Sequence, residues 1–457
     1  MHSLSFARAC GLALLAALAG CATAPPDDIA PVSRLTEPHT AQPLSTTLPS
    51  PDQIAERLRE PLTADAAVQL ALQNNRGLQA RLARLGVTAA EVDAAGRLPN
   101  PGFRFSRLTR GSEVEIERGW HVDLARLLTL PLVRAAEQRR LQAEQQQAAA
   151  DTLALAADTR RAWVRAVAAE EVLVYRRQVM EAAEAGAELA KRMEVAGNFN
   201  ALSRAREQGF EADARLALAR AETQRLAARE RLVRLLSLED GQALRLPERL
   251  PELPTAPREL ASVEAQALVQ RLDVRAARLS LEQSGKQLDL ARATRWVSML
   301  ELGTVRNSSN EQPTQRGWEV ALELPLFGPG PTPKAEALAR EATHIAADTA
   351  IQARSEAREA YGLYRSAFDV ARQHRDELLP LAQRVSQEQL LRYNAMLIGV
   401  FELLADARAQ AAAVSAAQDA LRDFWIAQAD LDQALVGRAQ PSLPQATAAA
   451  PAAAAPH

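Results

Sequence analysis

One unit of sequence occurs twice in this chain, and the two copies lie about 195 residues apart. The first copy is the alternating run at 119–124, followed by Leu-Pro-Leu at 130–132. The second copy is the run at 317–322, followed by Leu-Pro-Leu at 324–326. A charged, Ala/Leu-rich stretch precedes each copy, and about sixty residues poor in Gly and Pro follow it. This order indicates an internal duplication in which both halves fold alike.

Alternation of apolar and polar residues predicts four strands in the chain. They are expected at 102–108, 119–128, 297–306 and 317–324. The second strand carries the extra residues 125–128, which suggest a bulge or a longer turn. Each strand has about ten residues, the length that crosses a membrane as a tilted barrel strand. A small soluble sheet would show the same alternation, but the duplication and the N-terminal signal described below favour a membrane part.

The stretches between the strands predict very long helices. Residues 133–194 contain no Pro and one Gly, and they would form a helix of about 90 Å. The predicted elements of the first repeat, 62–257, are a hairpin over 133–236 and a Pro-rich waist over 237–257. Those of the second repeat, 258–437, are a helix over 271–295 and a hairpin over 333–436, divided into 333–394 and 400–436. Helix 271–295 is expected to complete the first hairpin's returning arm, and helix 77–97 that of the second.

The N-terminus predicts a lipid-modified protein. Residues 1–20 have a weakly basic start and a short apolar run, which are typical of a signal peptide. The run ends in Leu-Ala-Gly before Cys21, which resembles a bacterial lipoprotein signal; an ordinary signal peptide with an incidental cysteine is the alternative. Ala22 follows the cysteine, where inner-membrane retention signals usually carry Asp, so the resemblance implies the outer membrane. We expect residues 21–61 to be a Pro-rich tether without helix and 438–457 a disordered Ala/Pro tail.

Composition and motifs argue against several other classes of function. The net charge of −2 gives no footprint for nucleic acid. The chain contains no H-E-x-x-H, P-loop or G-x-S-x-G motif, so we expect no enzyme. Its six histidines are scattered, and of its two cysteines Cys10 falls in the predicted signal peptide, so we expect no metal site and no cofactor.

Four strands cannot close a membrane barrel, because the smallest such barrels have eight. An open sheet edge in lipid would leave backbone groups without hydrogen-bond partners. We therefore expect a homo-oligomer with a shared barrel, and a cyclic trimer would supply twelve strands, three times four. In that barrel Trp120 and Trp318 are expected near a membrane interface.

The layout of 62–437 resembles the TolC-like outer membrane efflux proteins, or outer membrane factors, and the signal suggests a lipoprotein member. The matching stretches are 62–63 with 74–75, 98–101, 196–198, 271–278, 324–327 and 392–395. Each stretch is weak alone, and their order and duplication carry the resemblance. It implies a mainly α fold: a homotrimer with a periplasmic α-barrel and a twelve-stranded β-barrel in outer-membrane lipid. It also implies a passive duct that docks to an inner-membrane efflux pump through a periplasmic adaptor protein.

The resemblance also assigns roles to the two hairpin tips, 192–202 and 393–404. The residues it suggests for contact with the adaptor are Val195, Ala196, Gly197, Met396 and Gly399. Glu402 matches an acidic position that rings the closed pore in family members, and Asp406 could assist it. A second acidic position of the family is Ala405 here, so one acidic ring is supported. The bland alternative is that Glu402 is a solvated acid at a helix start.

Two other kinds of lipoprotein compete with this interpretation. A periplasmic adaptor also carries a long helical hairpin, but it would have one hairpin and Gly-rich β-domains. A structural coiled-coil lipoprotein would show sustained heptads and no strands. Two hairpins with paired strands of about ten residues argue against both alternatives.

Overall fold

The computed structural model describes residues 29–439 except 46, 242, 243, 326, 327 and 329. The predicted signal peptide, Cys21 and the tail from 440 onward lie outside the described residues. The helices are α1 Ala30–Thr40, α2 Pro51–Arg57, α3 Ala64–Asn74, α4 Arg76–Ala95, α5 Leu124–Val195, α6 Ala201–Leu236, α7 Val263–Gln270, α8 Leu272–Ala293, α9 Thr332–Gln373, α10 Leu379–Asn394 and α11 Val400–Val436. The strands are β1 Gly102–Arg110, β2 Glu113–Asp123, β3 Met299–Ser309 and β4 Gln315–Glu323. The mainly α fold with one small sheet is as predicted.

The four strands form one antiparallel sheet in the order β1-β2-β3-β4. Its register places Phe103 opposite Trp120, Trp120 opposite Thr304 and Thr304 opposite Trp318. Directly paired residues point to the same side of a sheet, so these four side chains form one row on one face. We call this the outer face; its exposed apolar residues are Phe103, Phe105, Trp120, Leu302, Trp318, Val320 and Leu322.

The opposite face, which we call the inner face, must be concave, because an ion pair joins side chains of the two edge strands across it. Arg104 on β1 reaches across the sheet to Glu319 on β4, with 3.2 Å between its Nη1 and the carboxylate Oε1. In the register Gly119 lies opposite Arg104 and Gly303 lies opposite Glu319, so neither position places a side chain on the diagonal between the two charges. A Cβ on Gly303 would lie 2.7 Å from the carbonyl oxygen of Trp120, so a larger residue would force the strands apart. The absence of side chains there allows the sheet to curl.

The predicted strand over 119–128 is wrong at both ends. β2 begins at Glu113 and stops at Asp123, whose carboxylate Oδ1 accepts a hydrogen bond from the Arg126 N–H at 2.8 Å. This N-cap starts α5 directly, so residues 125–128 are helix and not a bulge. The other predicted strands are displaced by about two residues at one or both ends.

The long helix α5 is the axis of the helical body. It spans 72 residues and packs against α6 along one part and against α8 along another. The prediction that α8 completes the first hairpin is wrong: the Glu356 carboxylate pairs with Arg271, just before α8, and accepts a hydrogen bond from the Ala439 N–H, just after α11, so α8 continues the returning arm of the second hairpin.

Helix α4 packs on α5 and begins where α6 ends, because the side-chain amides of Asn74 and Asn75 donate to the carbonyls of Leu236 and Leu235. It therefore continues the returning arm of the first hairpin, and the prediction that it completes the second hairpin is wrong. The described part of the predicted waist over 237–257 contains no helix or strand. No described helix is long and apolar enough to span a membrane.

The second hairpin contains an interruption that the predicted unbroken helix over 333–394 lacks. A π-turn at His374–Leu378 separates α9 from α10. The N–H of Leu379 bonds to the carbonyl of His374, five residues earlier. Pro380 follows, and its nitrogen cannot donate the next helical hydrogen bond. The irregular turn therefore has a local cause in the sequence.

The predicted tether is wrong from residue 30 onward, because α1 and α2 fold within it. Pro31 and Pro51 occupy the first turns of these helices, where no backbone donor is needed. Ser50 caps α2 by accepting a hydrogen bond from the Gln53 N–H at 3.3 Å. Val32 on α1 is fully buried in the main core, which α5 shares. The segment is thus fastened to the helical body.

A buried arginine links the second repeat's helices. Arg271 has only 1 % of its surface exposed and precedes α8. Its guanidinium bonds Asp273 through Nε at 3.0 Å and Nη2 at 2.7 Å, and Nη1 lies 2.8 Å from Glu356 on α9. Hydrogen bonds and charge from the two carboxylates more than offset desolvation and raise the pKa of Arg271. The charge is therefore buried with its partners in place.

We predict that Arg271→Met lowers stability by about 3–5 kcal/mol, because it leaves two carboxylates without their cation. The measurement is the thermal unfolding midpoint by circular dichroism. Arg354→Met is the matched control, since it breaks an exposed pair with Glu264 and should shift the midpoint far less. Equal shifts for the two variants would contradict this role of Arg271.

Candidate functional site at the hairpin tips and on the sheet

The first tip is a helix reversal closed by backbone hydrogen bonds. Helix α5 ends at Val195, and the Gly197 N–H bonds to the Glu194 carbonyl at 2.9 Å. The Asn198 N–H bonds to the Met193 carbonyl at 2.9 Å. Gly197 has a φ of +76°, the left-handed conformation that ends many helices. The predicted break in the helix at this point is confirmed.

The second tip repeats the first, bond for bond. The Met396 N–H bonds to the Tyr393 carbonyl, and the Leu397 N–H bonds to the Arg392 carbonyl, both at 2.9 Å. Met396 occupies the position equivalent to Gly197 and has a φ of +60°. Gly399 instead precedes α11 as its N-cap with a φ of −82°, which any residue adopts. In the second tip the left-handed conformation, which glycine adopts most easily, therefore occurs at Met396 and not at Gly399.

Both tips present apolar side chains to solvent. Val195 is 84 % exposed and Met396 is 92 % exposed. Leu202 and Leu397 are exposed as well. Apolar residues gathered at the end of a polar helical hairpin favour contact with another protein.

Two contacts that were not predicted from the sequence hold the hairpins together near the tips. The rings of Phe199 and Phe401 stack with centroids 4.2 Å apart. Deeper in the body, Glu207 on α6 pairs with Arg408 on α11, and Glu207 is only 3 % exposed. The guanidinium of Arg408 also lies 4.6 Å from the ring centroid of Phe210. The sequence signal that could have indicated the stacked pair is the presence of one phenylalanine at each tip in a chain with only nine.

The predicted gate residues lie on successive turns of α11. Glu402 is exposed, and its carboxylate Oε2 accepts a hydrogen bond from the Gly399 N–H at 2.7 Å. This contact is the reciprocal half of a capping box and fits the alternative of a helix-start acid. Asp406 is half-buried, and its Oδ2 forms no hydrogen bond within the described structure. One helical turn before the first tip, the hydrogen bond from Arg192 lowers the pKa of Glu188.

The tips and the sheet lie at opposite ends of α5, which is about 108 Å long at 1.5 Å per residue. On the sheet, Trp120 is 57 % exposed and Trp318 is 77 % exposed, in the same cross-strand row. The chain therefore carries two separate candidate functional regions: apolar tips at one end and an aromatic, apolar sheet face at the other.

The chain is similar in fold to solved outer-membrane channels. The Campylobacter jejuni CmeC outer membrane channel is 16 % identical, with 88 % of this chain and 91 % of that chain covered at a TM-score of 0.71. The open Neisseria gonorrhoeae MtrE outer membrane channel is 20 % identical, with 83 % and 89 % covered at a TM-score of 0.66. The outer-membrane channel OprN is 17 % identical, with 87 % of this chain and 94 % of that chain covered at a TM-score of 0.70. No protein-family model and no curated protein matches the chain. The predicted resemblance in fold to TolC-like channels is confirmed.

We predict that Gly197→Ala weakens the first tip by about 1–2 kcal/mol, because a Cβ disfavours the left-handed conformation. A Cβ there meets nothing within 4 Å, so the backbone is the only cause. The measurement is amide hydrogen exchange over residues 192–202. Met396→Ala is the matched control, since that position already carries a Cβ, and exchange at 393–404 should stay unchanged. Unaltered exchange in Gly197→Ala would refute the cap assignment.

Proposed function

We propose that this chain is one protomer of an outer-membrane channel, a passive trimeric duct of a tripartite efflux or secretion system. In this proposal the sheet lies in the outer membrane and the helical hairpins extend into the periplasm. The observation that carries the proposal is the fold itself: paired hairpins about 100 Å long on a curled sheet with an apolar outer face. The fold's similarity to solved outer-membrane channels supports it.

The geometry of the sheet supports a shared barrel. In the described structure β1 and β4 are the two edges, and neither pairs with a further strand. Four strands of nine to eleven residues are long enough to cross a membrane but too few to close. Three copies joined edge to edge would satisfy every edge and place the concave inner face toward a lumen. Trp120 and Trp318 would then belong to an aromatic girdle in outer-membrane lipid.

The tips support a docking role at the periplasmic end. A duct of this kind receives substrates from an inner-membrane pump through a periplasmic adaptor. The exposed Val195 and Met396, with Ala196, Gly197 and Gly399 beside them, are the proposed contacts for the adaptor. Two hairpins on one sheet do not support the rival interpretations, because an adaptor would have one hairpin and a coiled-coil lipoprotein would have no strands.

We predict that the purified protein forms discrete channels in planar lipid bilayers. Val320→Arg should abolish them, because a charge on the lipid face costs about 2–4 kcal/mol near the midplane. The matched control is Ala321→Arg. Ala321 follows Val320 in the strand and lies on the inner face opposite Glu301, so channels of this variant should still conduct. The proposal fails if the wild type gives no conductance, and the assignment of faces fails if both variants conduct alike.

We predict that Glu402→Ala raises the conductance of the closed channel or weakens block by multivalent cations. Three carboxylates around a symmetry axis would attract cations and narrow the pore. Glu402→Gln separates charge from capping, because its amide oxygen can still accept the Gly399 N–H. If only the loss of the cap matters, Glu402→Gln will behave as wild type, and Glu402 is then not part of the proposed gate. Asp406→Asn tests the second acidic residue in the same assay.

We propose lipid anchoring through Cys21 to the outer membrane, on the strength of the sequence signal alone. Labelled palmitate should enter the wild-type protein and not Cys21→Ser. Incorporation into the serine variant would exclude this site of modification.

A further inference from the structure

The two faces of the sheet carry opposite charge. The charged residues of the outer face are all arginines: Arg107 on β1, Arg118 on β2, Arg306 on β3 and Arg316 on β4. The inner face carries all the carboxylates of the four strands, which are Glu113, Glu115, Glu117, Asp123, Glu301, Glu319 and Glu323, together with Arg104 and Arg110. Each strand thus contributes one arginine, and no carboxylate, to the outer face.

Three of these arginines are direct neighbours across the strands. Arg118 lies opposite Arg306, and Arg306 lies opposite Arg316. We call these three residues the arginine row. It lies two residues beyond the row of Trp120 and Trp318, on the side away from the helices, or about 7 Å along the strands. An apolar band, an aromatic row and a cationic row therefore follow one another along the outer face.

Among the described residues, the arginine row has no counter-charge. Arg118, Arg306 and Arg316 are all exposed, and their guanidinium groups form no ion pair or hydrogen bond among the described residues. By contrast, Arg104 on the inner face pairs with Glu319. Like charges directly opposite each other destabilise a sheet. An anion from outside the chain would relieve this repulsion.

We infer that the arginine row binds the phosphate groups of lipid headgroups in the outer leaflet. The inference rests on the proposed function, in which the outer face contacts lipid and the hairpin turns between the strands lie on the side of the membrane away from the periplasm. Aromatic side chains mark the level of membrane interfaces, and a row just beyond them meets the headgroups. The planar guanidinium matches phosphate in a bidentate fork, so arginine suits this ligand. Arg107, one step farther along β1, would extend the same surface.

The first arm of the test compares two lipids on the assembled, full-length protein. Diphosphorylated lipid A and its dephosphorylated form are titrated into the protein in neutral detergent, and bound copies are counted by native mass spectrometry. The phosphorylated lipid should bind more tightly, on the order of tenfold or more. Equal affinity for the two lipids would overturn the inference.

The second arm compares matched arginines on the two faces. Arg306→Gln should weaken binding of diphosphorylated lipid A about fivefold, since a basic residue near a charged membrane surface contributes about 1 kcal/mol. Arg110→Gln removes the same charge from the inner face and should leave the affinity unchanged. Equal weakening by both variants would mean attraction to net charge and would refute the arginine row as the site.

Two further readouts separate the remaining outcomes. Inorganic phosphate that displaces the lipid completely at millimolar concentration would identify a free-anion site and overturn the assignment to lipid. Channel conductance of each variant is recorded in phosphatidylcholine bilayers. Normal conductance without phosphate preference contradicts this inference alone, whereas a wild type that never conducts contradicts the proposed function on which it rests.

Discussion

The structure depends on one constraint: the open edges of its curled four-stranded sheet need hydrogen-bond partners. Backbone groups at the free edges of β1 and β4 need partners, and the apolar outer face needs a non-aqueous surrounding. The described part of a single chain supplies neither. The curl itself has a local cause, because Gly119 and Gly303 remove side chains from the concave face and Arg104 can reach Glu319 across it. A ring of identical copies in a membrane, as in the proposed function, would satisfy both requirements at once.

The internal duplication explains how one chain builds both ends of such an assembly. Each repeat supplies a strand pair and a hairpin, and the two tips are closed by the same pattern of backbone hydrogen bonds. The copies have diverged where local constraints differ. The first tip has glycine in the left-handed position, whereas the second has Met396. Only the second hairpin's long arm contains a π-turn in the described structure, beside Pro380.

Local sequence patterns predicted the features that local physics determines. The four strands, the helix breaks at both tips and the mainly α fold followed from alternation and from the positions of Gly and Pro. The start of β2 at Glu113 was missed because the turn at Gly111 was not recognised as the end of a hairpin. Helix α1 was missed because proline in a first helical turn was interpreted as a helix breaker. The pairs Phe199–Phe401 and Glu207–Arg408 join residues about 200 positions apart, which no periodicity reveals.

The stoichiometry of the assembled protein tests the central claim most directly. Native mass spectrometry of the full-length protein, extracted from membranes in mild detergent, counts the chains in the intact particle. The proposed twelve-stranded barrel, built from three four-stranded sheets, predicts three chains and no folded monomer in the membrane fraction. A membrane-inserted monomer or dimer would contradict the account, because its four or eight strands would not form the twelve-stranded barrel shared by three protomers.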